Sequence, residues 1–140
     1  MRVLLDTNVI LDLLLDREGF VEEAITIWDA NNSGSIEIFL AAISPTIIFY
    51  VARKLKGKEI ALRYIEDILA ATQICPLTQQ IFLHSITLPL TDFEDAVQVA
   101  SAISSQLDCI VTRDLKDYKN SPLPVYSPAD FIALLAAPNQ

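Results

Sequence analysis

Three aspartates, placed where strands end and a helix begins, carry the chemical potential of this sequence. Asp6 closes the apolar run Val3-Leu4-Leu5, Asp95 falls in the turn opened by Thr91-Asp92-Phe93-Glu94, and Asp114 follows Cys109-Ile110-Val111 after Thr112 and Arg113. A lone Asp at a strand-to-helix junction caps a helix as readily as it does chemistry. Several carboxylates at one edge are a different matter, because they repel one another, and the cluster then calls for a cation or a shared proton. Magnesium or manganese suits an acid-only set, since such hard ions take oxygen ligands and keep several waters. Zinc would call for His or Cys, and His84 is the single histidine. With a divalent ion present, the chemistry that fits is phosphodiester hydrolysis by an activated water. That route needs no protein nucleophile, and the sequence offers neither a Gly-x-Ser-x-Gly elbow nor a Cys–His pair.

The elements that must position these acids alternate. Val3 to Leu5 reads as a strand buried on both faces. Thr7 and Asn8 open a turn into a helix carrying Val9, Ile10, Leu13 and Leu14. After the polar break Asp16–Gly19, residues Phe20 to Asn32 give a second helix, with Val21, Ala24, Ile25 and Trp28 on its apolar face. Ile36 to Ala42 reads as a strand, Ser44-Pro45 as a helix cap followed by proline in the first turn, and Gly57 as the break between a third helix and a fourth over Lys58 to Ala71. Gln73–Pro76 is a short strand and Thr78–Ile86 a helix. Thr91 to Glu94 has the form of a capping box ahead of Ala96, Ala100, Ile103 and Leu107. Cys109–Val111 is a further buried strand, Lys116 to Tyr118 a loop, Pro124–Tyr126 a last strand, and Ser127-Pro128 the start of a final helix; Pro138 to Gln140 is expected to fray. In an alternating parallel fold, strand C-termini and helix N-termini share one edge, which brings Asp6, Asp95 and Asp114 together.

A chain of 140 residues with 52% hydrophobic and 20% charged residues is expected to form one domain, residues 1–140, with a real core. Apolar runs too short to span a bilayer and the lack of an export signal point to a cytoplasmic protein with no membrane partner. Cys75 and Cys109, each in an apolar strand-like run, are expected as reduced core residues. A net charge of -8 opposes nucleic-acid binding by bulk electrostatics. The cations are clustered, though, around Arg53, Lys54, Lys56, Lys58 and Arg63 and around Arg113, Lys116 and Lys119. Each cluster in isolation reads as a solvated helix end or loop. Beside an acidic edge, Arg53, Lys54, Lys56 and Arg113 are the expected contacts to a phosphate backbone. The apolar surface of Phe20–Trp28 and Ile47–Leu55 is more than one small sheet can cover, which points to a homodimer.

The segments L-L-D-T-N-V-I-L-D, D-F-E-D-A-V-Q-V-A-S-A and C-I-V-T-R-D-L-K-D-Y, with the S-P-A-D-F close, resemble the PIN domain family over nearly the whole chain. The resemblance implies a three-layer α/β/α fold with a central, mostly parallel sheet. It also implies a metal-dependent nuclease in which Asp6, Asp95 and Asp114 ligate magnesium or manganese, Asp117 is an auxiliary acid, and Asn8 and Thr112 are polar supports. Small bacterial members are often VapC-type ribonuclease toxins restrained by an antitoxin, so the implied partners are RNA and an antitoxin protein, and homodimerisation is again implied. The sequence departs from the family in one respect. Many PIN domains carry a glutamate on the helix after the second strand, about where Phe49 and Tyr50 stand, and no acid occurs between Glu37 and Glu59. Three outcomes stay open: a slow nuclease, a site completed by Asp92 or Asp117, or a nuclease-like fold kept as an RNA-binding or partner-binding module. A dehalogenase-type phosphatase would need an acid where Asn8 stands, and a receiver-type phosphoacceptor an Asp after a central strand with a partnering Lys.

Overall fold

The first apolar run becomes β1 (Arg2–Leu5), the middle strand of a five-stranded sheet in the computed structural model, which describes residues 1–137. The fraying expected at Pro138–Gln140 lies outside the described residues. On one side β1 pairs with β2 (Glu37–Ala41), which pairs with β3 (Gln73–Cys75); on the other it pairs with β4 (Cys109–Val111), which pairs with β5 (Val125–Tyr126). All four pairings are parallel, and the order is β3-β2-β1-β4-β5. Val3 stands opposite both Ile38 and Cys109, so β1 is covered on both flanks and both faces, which is why its sequence is an unbroken apolar run.

Helices fill both faces. Val3, Leu5, Ile38, Leu40, Cys109 and Val111 point into the larger core. There they meet α1 (Thr7–Leu14), α2 (Val21–Asn32), α3 (Ser44–Lys56), α4 (Lys58–Ala71) and, through Phe131, α7 (Pro128–Ala136). The alternate residues Leu4, Phe39, Cys75 and Ile110 point the other way, onto Val99 and Ala102 of α6 (Phe93–Ser104), with α5 (Gln79–Thr87) packed against α6. The expected three-layer α/β/α architecture is therefore the one observed. Between α3 and α4 the chain reverses at Gly57, whose φ of 89° is cheap only without a Cβ. Both cysteines are free and buried, as expected. No described helix is long and apolar enough to cross a membrane.

Three local details differ from the sequence reading. Ser44 does not cap α3: it is the first helical residue, fully buried, with its Oγ 2.9 Å from Thr7 Oγ1. The cap of α6 is Asp92, not Thr91, because the carboxylate accepts from the Asp95 backbone N–H at 3.0 Å. On α2 the core residues are Ala24 and Ile27, with Trp28 partly buried, while Ile25 is exposed.

Candidate active site

Strand order reverses beside β1, where β2 lies on one flank and β4 on the other, and in open parallel sheets ligands bind outside the strand ends at such a point. Asp6 is there, its backbone N–H donating to Val111 O at 3.0 Å and so tying the ends of β1 and β4 together. A cavity of about 230 Å³ opens at this edge, lined by Asp6, Thr7, Asn8, Ile47, Asp92, Glu94, Asp95, Asp114 and Asp117. Six of those nine residues are acidic and none is Lys, Arg or His. The three aspartates singled out in the sequence thus share one cavity with Asp117, Asp92 and Asn8.

Neutral donors hold these acids. Thr112 Oγ1 donates to Asp6 Oδ2 at 2.7 Å and accepts from the Asp114 backbone N–H at 3.1 Å, so one hydroxyl fixes the ends of both strands. Asn8 Nδ2 donates to Asp114 Oδ2 at 3.3 Å. On α6, the fully buried Gln98 donates from Nε2 to Asp6 Oδ1 and to Tyr118 Oη, both at 3.1 Å, and the Tyr118 hydroxyl donates to Asp95 Oδ1 at 3.1 Å. Tyr118 reaches this position because Lys116 to Tyr118, expected as loop, belong to a 3-10 turn over Leu115–Tyr118 that buries its ring.

The electrostatics follow from burial and like charge. Burial and the Asp92 charge push the Asp95 carboxyl up to about 7, with Asp6 and Asp117 adding to the rise and the Tyr118 hydrogen bond opposing it. Asp6 is also raised, chiefly by burial, with hydrogen bonds from Thr112 and Gln98 holding it down and Asp114 pushing it up. Glu94 moves the same way through burial and the charges of Asp92 and Asp6. Tyr118, buried beside Asp6 and Asp95, is held firmly in its neutral, donating form.

Sequence reasoning missed Glu94, Gln98, Tyr118 and Ile47. The capping box accounts for Glu94 as a helix-start residue, but with the cap moved to Asp92 it sits in the second helical position and faces the cavity. Ile47 is the α3 residue that lines the cavity, whereas Phe49 and Tyr50 line a separate apolar groove with Pro45, Thr46, Leu62 and Ile65. On α3 the cavity is therefore faced by the apolar Ile47 and not by an acid. The expected phosphate contacts are not gathered here either. Arg53, Lys54 and Lys56 lie exposed in the last turn of α3, about 9 to 14 Å along the helix beyond Ile47. Arg113 turns away, placing Nε 2.9 Å from Asp12 Oδ2 and Nη2 3.2 Å from Asp12 Oδ1, with its guanidinium 4.1 Å over the Phe20 ring. His84 is exposed on α5.

A family model described as PIN domain matches residues 2–116. The chain belongs to the PIN domain family. A comparison with curated proteins finds no significant match. Among solved structures, DNA-bound VapBC from Salmonella typhimurium is similar with a TM-score of 0.71 and 18% identity, over 91% of this chain and 98% of that chain. A toxin-antitoxin complex from Klebsiella pneumoniae gives 0.68 and 22%, over 90% and 97%. VapC20 from Mycobacterium tuberculosis, described as a Sarcin-Ricin loop cleaving toxin, gives 0.62 and 10%, over 77% and 86%. At such identities the likeness is one of fold, and it makes the PIN architecture the frame of the acidic cavity.

The donor set suits a hard divalent ion. No three acidic, His or Cys side chains among the described residues stand close enough to grip one ion directly. A cation that binds through one or two carboxylates and keeps its other waters needs no such cage, and magnesium behaves in this way. The carboxyls of Asp6, Glu94 and Asp95 are raised by burial first and by neighbouring acids second, and no Lys, Arg or His lines the cavity to offset their charge.

Proposed function

We propose that this PIN domain is a metal-dependent endoribonuclease, the toxin of a toxin-antitoxin pair. The observation that carries the reading is the acidic cavity at the β1/β4 edge, whose carboxylates are held by Thr112, Asn8, Gln98 and Tyr118 and by no cation. Phosphate cannot approach such a surface unaided. Asp6, Asp95 and Asp114 would hold magnesium or manganese, one or two of them directly and the rest through the ion's waters, with Asp117, Glu94 and Asp92 at the rim. Such an ion supplies Lewis acidity, activating water for attack on phosphorus and neutralising the departing oxygen. The protein's own part is placement. Thr112 and Gln98 lock both oxygens of Asp6, Asn8 steadies Asp114, and Tyr118 steadies Asp95. RNA as substrate and an antitoxin as partner are supported by the family and by the neighbours described as toxins and toxin-antitoxin complexes. A homodimer is part of the same reading, supported by the exposed apolar residues Tyr50, Leu55, Leu62 and Leu69 along α3 and α4.

Labelled single-stranded RNA should be cut in magnesium or manganese, spared with chelator, and spared by Asp95→Asn. Ile47, an apolar residue facing the acids, favours one second reading: a PIN fold kept for binding. Clean protein that binds RNA in either metal yet leaves it intact would select that reading.

A further inference from the structure

The acidic cavity has a neighbour of opposite character. A groove of about 200 Å³ is lined by Pro89, Leu90, Thr91, Lys116, Asp117, Lys119 and Asn120. Asp117 belongs to both linings, so the two concavities meet at that residue. Lys116 and Lys119 flank it in sequence, exposed on and just after the 3-10 turn, and neither forms an ion pair with any described residue. They differ in this from Arg17 and Arg113, whose charges are spent on Asp12. Thr91 and Asn120 add exposed polar side chains, while Leu90 packs into the smaller core and gives the groove an apolar floor. In a chain of net charge -8, two unpaired lysines abutting an acidic cavity form a local reversal of sign where a polyanion leaving that cavity would pass.

We propose that this groove is a substrate subsite that holds a backbone phosphate flanking the scissile one, with Lys116 and Lys119 as the phosphate contacts. The inference rests on the nuclease reading and deepens it: the strand runs from the acidic cavity over Asp117 into the lysine groove. A single strand fits, because the apolar floor of Leu90 and Pro89 can take the face of a sugar or an unstacked base, which a duplex does not expose. The lysines would act on binding alone. They stand one or two residues from the rim acid Asp117 and line no part of the cavity that holds Asp6, Asp95 and Asp114.

The test measures salt dependence of binding for a fluorescein-labelled single-stranded RNA in calcium, and cleavage kinetics of the same RNA in manganese. Lys116→Ala/Lys119→Ala should raise KM with kcat unchanged, the pattern of a weakened uniform binding. The slope of log affinity against log salt should flatten by about 0.7 for each phosphate no longer neutralised. Replacing Arg53, Lys54 and Lys56 by Ala should leave both quantities as in the parent. A parent that cuts RNA while the double lysine variant keeps its KM and slope overturns the groove and leaves the nuclease reading standing. Equal flattening by the α3 variant also overturns it, since the effect would then be diffuse charge. A parent that neither binds nor cuts RNA removes the nuclease reading and this inference with it.

Discussion

Two buried aspartates near the start of the chain, Asp6 and Asp12, have opposite surroundings. Asp12 on α1 is 1% exposed and receives Arg113 through two nitrogens and Arg17 at 3.3 Å. Asp6, at the end of β1, is 5% exposed and receives neutral donors, the side chains of Thr112 and Gln98 and the Thr7 backbone, with Asp95 and Asp114 lining the same cavity. The first carboxylate is finished: its charge is offset within the fold, and its work is to tie α1 to the segment after β4 and to the turn at Arg17. The second is unfinished, because hydrogen bonds orient it without cancelling its charge. The difference separates a carboxylate neutralised within the fold from one whose charge no side chain matches, and burial alone does not reveal it.

The largest expected effect comes from breaking the finished site. Arg113→Met keeps much of the stem over Phe20 but leaves Asp12 buried with Arg17 as its only cation. Removing one partner of a buried pair costs about 3 kcal/mol when the other charge is left uncompensated, so with Arg17 still beside Asp12 urea unfolding should show a loss of up to that size. The rise in melting temperature on adding manganese should persist, since Asp6, Asp95 and Asp114 keep their places. A variant as stable as the parent would show that the Asp12 network contributes little, and the contrast between the two aspartates would lose its structural half.

The unfinished site should respond with the opposite sign. Asp95→Asn removes a repelling charge and retains a group able to accept the Tyr118 hydrogen bond, so the metal-free variant should be at least as stable as the parent at neutral pH. At metal concentrations of about 100 times Kd the parent should gain roughly 2.7 kcal/mol, and the variant much less. The pH dependence sharpens the point. In the metal-free fold the Asp95 carboxyl lies at about 7, against an ordinary 3.8, so the folded chain binds this proton more tightly than the unfolded chain does. Its contribution favours folding below the ordinary value and is lost as pH rises toward 7. Metal-free stability should fall over that interval in the parent and stay flatter in Asp95→Asn, as followed by thermal melts from about pH 4 to 8. A destabilised variant with full metal response would make Asp95 a structural acid like Asp12.

Legibility in the sequence followed the range of the forces involved. The strand-acid-helix unit at Asp6, the two-face-buried runs of β1 and β4, and the alternation that makes the sheet parallel are local patterns, and they led to the observed architecture. The family was legible too, from three short motifs in order. Gln98 was not, because a glutamine inside an apolar helix carries no signal until Asp6, 92 residues away, is known to stand above it. Arg113 looked available for phosphate because its partner Asp12 is distant in sequence and equally unremarked. The α3 cations lie close in sequence to the cavity wall but stand in the last turn of a helix of 13 residues, about 9 to 14 Å beyond Ile47, and line no part of the cavity.

The smallest expected effect concerns the wall of the unfinished site that carries no acid. Ile47 lines the cavity from α3, while Phe49, two residues on, faces the α3–α4 groove. Ile47→Glu should place another carboxylate among Asp6, Glu94, Asp95 and Asp114, costing the metal-free protein about 1 kcal/mol through reduced apolar packing and added repulsion. The same charge is an additional oxygen donor, so the variant should reach half of its manganese-induced stabilisation at a lower manganese concentration than the parent. Phe49→Glu is the matched control. It adds the same charge to the same helix but points it at Leu62 and Ile65, so it should destabilise without tightening manganese. The comparison isolates direction from charge. Equal tightening by both variants would mean that bulk negative potential attracts the ion, whereas tightening by Ile47→Glu alone would show that the ion is held within reach of that one face of α3.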